Sequence, residues 1–193
     1  MKKSLFVKTA VALALTAPLL ASAESQLVTG ADSATARLDL RVVIPRVLFL
    51  GVGAGAATPL ASNGGINTLT FDYSANPQDI GTTLAAASIS NDGPLPSGNA
   101  IPVRVFGNDG QITITATNET NLVSGSDTIP FTQLSVTTTN AALPAPAFGG
   151  TSLPTLNGKV TNQTANWAYS YANATTPAFG TYTGRVTYTA TMP

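Results

Sequence analysis

The sequence predicts an all-β fold, a single antiparallel β-sandwich behind a cleaved leader. Three observations predict it. Apolar and polar residues alternate over most of the chain, as they do on a strand whose side chains point to opposite faces in turn. Clusters of Gly, Asn, Asp and Pro separate the alternating runs. Helical periodicity is nearly absent. Many short strands punctuated by turns suggest a sandwich.

The elements follow in order. Lys2, Lys3 and Lys8 precede an apolar stretch, Thr9 to Leu20, and then Ala21-Ser22-Ala23. A basic start, a short apolar core and a small-x-small site describe a signal peptide over 1–23, cleaved after Ala23. The apolar stretch is short for a membrane span, which needs about 20 residues, and no transmembrane segment is expected after cleavage. Residues 24–35 lack a strong apolar pattern and read as a flexible N-terminal leader. The sandwich domain is expected over 36–193, beginning with an alternating run through Leu38, Leu40, Val42 and Ile44. Leu69, Phe71 and Tyr73 form the next run. Ile101, Val103 and Val105 form a third, and Ile112, Ile114 and Ala116 a fourth. Gly107-Asn108-Asp109-Gly110 lies between these last two and reads as a tight hairpin loop. Leu134 and Val136 mark a shorter strand, and Trp167, Tyr169 and Tyr171 an aromatic one. The closing run is the longest, Tyr182 to Ala190. Asn63-Gly64-Gly65 and Asn91-Asp92-Gly93-Pro94 read as turns, and 141–154, rich in Pro, Ala and Gly, as a loop. Ala85-Ala86-Ala87 suggests one helical turn between Ile80 and Ile89.

Composition excludes several chemistries. Charged residues make up 9% of the chain, against about 25% in a typical domain. Without the three leader lysines, six basic residues face nine acidic ones, a net charge of −3. That carries no footprint for nucleic acid, which needs clustered Lys and Arg. The chain has no Cys and no His, which removes the Ser-His-Asp triad, a Cys nucleophile and a His-based zinc site. Asp72, Asp79, Asp92, Asp109 and Asp127 read as turn formers. Asp92 and Asp109 are also weighed as calcium ligands, but the acids do not follow an EF-hand or repeat-type calcium pattern. No cofactor is expected, and an enzyme is not. Asn118, Asn162 and Asn173 each open an Asn-x-Thr sequon.

Two segments carry a resemblance. Near the start stands Ala36-Arg37-Leu38-Asp39-Leu40-Arg41-Val42-Val43-Ile44-Pro45, followed by Val47-Leu48-Phe49-Leu50. At the end stands Pro177-Ala178-Phe179-Gly180-Thr181-Tyr182-Thr183-Gly184-Arg185-Val186-Thr187-Tyr188-Thr189-Ala190. Together they resemble chaperone–usher fimbrial major subunits, the cysteine-free colonization-factor-like pilins. The closing strand is also similar to WxL-type surface domains. The fimbrial resemblance implies an immunoglobulin-like or pilin-like sandwich that lacks one strand, filled by the N-terminal segment of the next subunit. Residues 36–45 would be that donor strand, with Leu38, Leu40, Val42 and Ile44 as its inward row. The acceptor-groove strand would carry Tyr182, Val186 and Tyr188. Four buried aliphatic side chains at about 1.5–3 kcal/mol each give roughly 6–12 kcal/mol before ordering costs. The alternative for 36–45 is an ordinary first strand of a complete sandwich.

Two functions follow as expectations. One is an exported structural or adhesive surface subunit of a pilus or matrix, partnered by copies of itself or by a periplasmic chaperone. It would pass through the periplasm to the cell surface, a pilus or the medium. The other is a secreted monomeric module that binds a glycan, a host surface or a cell wall through Trp167, Tyr169 and Tyr171. Those aromatics stack on sugar rings if exposed and pack the core if buried.

Overall fold

The computed structural model describes residues 24–30, 33–56, 60–62, 64–83, 88–92 and 98–193. The expected signal peptide at 1–23, the Ala85–Ala87 turn, and Asn63, Gly93 and Pro94 of the expected turns lie outside them. The chain divides into two units, 1–44 and 45–193.

The described part of the first unit contains no strand. An ion pair, Arg37 Nε to Glu24 Oε2 at 2.8 Å, joins its first described residue to Arg37. The Thr35 N–H also donates to Gln26 Oε1 at 3.0 Å.

The second unit is all-β, with antiparallel sheets facing one another as a sandwich. Its strands are β1 (Leu48–Val52), β2 (Leu69–Asp72), β3 (Ser88–Asn91), β4 (Ala100–Gly107), β5 (Thr113–Asn118), β6 (Asn121–Ser124), β7 (Asp127–Pro130), β8 (Leu134–Thr138), β9 (Thr151–Ser152), β10 (Thr161–Tyr171) and β11 (Val186–Thr191). One sheet has the order β1-β4-β10-β8 and the other β11-β5-β9, with β2-β3 and β6-β7 as two-stranded ribbons. Single turns of 3-10 helix interrupt the chain at Gly53–Ala56, Pro77–Asp79 and Phe131–Gln133.

The alternating residues of the two sheets meet in the core. Val103 and Val105 of β4 and Trp167 of β10 pack with Ile114 of β5, Ile112 just before it, and Leu143. Trp167 is fully buried, and its Nε1–H donates to the Leu143 carbonyl at 3.3 Å, so the indole keeps a partner inside the core. Its ring lies edge-on to Tyr188 of β11, with centroids 5.0 Å apart. Leu143 belongs to the 141–154 loop, which therefore supplies core as well as connection. The β2-β3 ribbon approaches the end of β10 through Phe71 and Tyr73, each 6.2 Å from the Tyr171 ring.

Three sequence expectations need correction. The alternating run at 38–44 forms no strand. The segment 107–110 is not a hairpin loop. Both edges of β4 are already paired, with β1 and with β10, so the turn carries the chain across to β5 in the facing sheet. Gly110 allows this with φ +99°, a conformation that side chains disfavour. The closing strand begins at Val186 and not at Tyr182. Residues before it have another partner: Thr183 and Val123 exchange backbone hydrogen bonds at 2.9 and 3.0 Å, and the Glu119 N–H donates to the Arg185 carbonyl. The chain changes neighbour from β6 to β5 across Gly184. A β-carbon there would lie 2.6 Å from Leu122 and 2.9 Å from Phe131.

Candidate functional site: a cleft between two edge strands

Among the described residues each main sheet has two edge strands, β1 and β8 in one and β11 and β9 in the other. β1 pairs with β4 alone, and β11 with β5 among the main-sheet strands. The two edges touch without pairing. Between them runs an open cleft of about 430 Å³ lined by Arg46, Leu48, Ala190, Thr191 and Met192. An unpaired edge presents a row of free backbone N–H and C=O groups, which template another strand.

The inner rows of β1 and β11 beside the cleft are apolar because of strand alternation. Leu48, Leu50 and Val52 stand opposite Gly107, Val105 and Val103 of β4 and so share the inner face of the sheet. Val186, Tyr188 and Ala190 form the corresponding row on β11. Leu50, Val52, Tyr188, Ala190 and Met192 pack against the core but stay only partly buried, and Leu48 is 40% exposed. Polar groups mark one end. Arg46 Nε lies 3.0 Å from Asp109 Oδ2, and its guanidinium donates to the Met192 carbonyl at 3.2 Å.

Of the expected acceptor residues, Val186 and Tyr188 lie on the edge strand. Tyr182 lies outside it, and its hydroxyl donates to the Ala178 carbonyl at 2.8 Å. Tyr188 also bridges the two sheets, with its hydroxyl 3.0 Å from that of Tyr169. Burial raises both phenols above the usual tyrosine range; at Tyr169 the neighbouring Tyr188 adds to the rise.

The expected donor row is exposed throughout: Leu38 82%, Leu40 85%, Val42 84% and Ile44 77%. These residues belong to the first unit, and β1 and β11 to the second.

The aromatic run on β10 faces inward. Trp167 is buried, Tyr169 reaches Tyr188, and Tyr171 packs beside Phe71 and Tyr73. A buried indole offers no ring face to a sugar, which counts against a stacking platform here. The two aspartates weighed as calcium ligands have protein partners. Asp92 Oδ1 accepts from the Thr68 N–H and from Asn67 Nδ2, contacts that hold its carboxyl below the usual range. Asp109 takes Arg46. No group of three or more His, Cys, Asp or Glu that would hold a metal occurs among the described residues. Nor is any helix among them long and apolar enough to cross a membrane.

Sequence reasoning missed two polar residues. Asn108 holds the entry to β1: its Oδ1 accepts from the Val47 N–H and its Nδ2 donates to the Pro45 carbonyl, both at 2.8 Å. Asn173, buried and at φ +49°, accepts from the Gly81 N–H at 2.8 Å and donates to the Asp79 carbonyl at 2.6 Å. The side chain of Asn173 is therefore enclosed, whereas Asn162 is exposed on β10. The one available signal was residue type, since Asn tolerates left-handed backbone and bonds to nearby main chain. No family model, curated protein or solved structure was found to match this chain.

Proposed function

We propose that this chain is an exported, non-enzymatic structural or adhesive surface subunit that assembles by strand donation. Residues 36–45 of one copy fill the cleft between β1 and β11 of the next. One observation carries the reading: an alternating apolar row stands exposed in a chain whose β1 and β11 each keep one edge unpaired among the described residues. Lengths agree as well. At about 3.3 Å per residue, the seven residues 38–44 span roughly 23 Å and the six of β11 roughly 20 Å. Backbone hydrogen bonds to the free edges supply affinity, and Leu38, Leu40, Val42 and Ile44 cover the half-open inner rows. A periplasmic chaperone that supplies a strand would occupy the same cleft before assembly.

The test is Val42→Asp in the full chain, with multimers measured by light scattering after size separation. The exposed site predicts a change in the folded monomer within about 0.5 kcal/mol. The charge would be buried in the donated strand, so multimers should vanish. A variant that assembles like the parent, or a parent that stays monomeric at high concentration, would discard strand donation.

A further inference from the structure

We propose that the Asn108 side chain is a splint that offers residues 36–44 to a second copy of this chain and keeps them out of their own cleft. The inference rests on the strand-donation reading above.

Asn108 directly follows the last residue of β4, Gly107, which pairs with Leu48, the first residue of β1. In an extended chain, the N–H of one residue and the carbonyl two residues earlier point to the same side. The carboxamide of Asn108 meets just such a pair, the Val47 N–H and the Pro45 carbonyl. It stands in for one more residue of β4 and holds 45–47 straight, as a prolongation of β1. Arg46 adds two further ties, to Asp109 and to the Met192 carbonyl.

A strand entering its own cleft would have to run back beside β1. That requires a reverse turn just before Leu48, and such hairpin turns take two to five residues, commonly with positive φ. The residues there resist one. Positions 45–47 are held extended. Pro45 biases Ile44 towards extended backbone. Val42, Val43 and Ile44 are β-branched, and positive φ is a steric outlier for such residues. Placing the turn further upstream removes Val42 and Ile44 from the inward row and leaves only Leu38 and Leu40. The intact row therefore serves a cleft on another copy.

The test compares three full chains at equal concentration: the parent, Asn108→Ala, and an insertion of Asn-Gly-Gly between Ile44 and Pro45. The insertion leaves the splint untouched and supplies a turn, so it reports even where Asn108→Ala folds poorly. The expected result is multimers from the parent and a shift of at least about tenfold towards monomer in both variants, the scale of one hydrogen bond's worth. In those monomers the amides of 38–44 become protected from hydrogen exchange. Unchanged multimer distributions in both variants would overturn the splint but leave strand donation standing. A parent monomer with 38–44 already protected would overturn the splint and donation between copies together, since the segment would then serve its own chain. A parent monomer with 38–44 exchanging freely would overturn strand donation itself.

Discussion

The hydroxyl pair of Tyr169 and Tyr188 joins the two sheets beside the one tryptophan. Both phenols have folded-state pKa values raised by burial. The sign follows from linkage. Below the ordinary tyrosine pKa of about 10, both folded and unfolded chains keep these protons, and the contribution is fully present. Above it the unfolded chain ionises first, so stability falls as pH rises towards the folded values. Urea midpoints measured between about pH 8 and pH 11 should therefore drop, and drop less in Tyr188→Phe. An equal drop in the variant would assign the effect to other groups. At this scale the sequence is half readable. The alternation of 167, 169 and 171 shows that these aromatics share a face. It does not show which face, because the residues between them, Ala168 and Ser170, are small and suit either environment. Asn108 and Asn173 were not legible, since their partners lie 61 and 92 residues away along the chain.

Among elements, pairing status divides the strands more sharply than length does. β4 and β10 are paired on both edges, while β1 and β8 close their sheet and β11 and β9 close the other. Hydrogen exchange should be slowest in the interior of β4 and β10. It should be much faster at the free-edge amides of β1 and β11, and slow there once the cleft is occupied. Edge amides that stay unprotected in multimers would place the contact between copies elsewhere. Legibility follows pattern. β4 is visible because Ile101, Val103 and Val105 point inward between Pro102 and Arg104. β1 is obscured because its outward residue Phe49 is as apolar as its neighbours Leu48 and Leu50. β10 is longer than its aromatic end because Thr161, Gln163 and Ala165, polar or small, continue the inner row. The closing strand starts late because the choice of neighbour, β6 or β5, is settled by distant chain.

For the whole molecule, scarcity of charge bears on how copies would associate under the strand-donation proposal. With 9% charged residues in the chain and apolar inner rows beside the cleft, little is available for salt to screen. Screening lengths fall from about 10 Å at 0.1 M to about 3 Å at 1 M salt. Multimers should persist across that range or strengthen slightly, read by light scattering. A steep loss with salt would mean that charges hold the copies together. The apolar row at 38–44 was legible from alternation. The cleft was not, because an edge exists only once every non-local pairing is made. The chain carries one tryptophan and two methionines, Met1 and Met192. Trp167 is sealed in the core and Met192 lines the cleft. Those positions make two native spectroscopic reporters. Indole fluorescence would follow folding of the sandwich, and the labelled methyl resonance of Met192 would follow arrival of a neighbour, with no foreign probe attached.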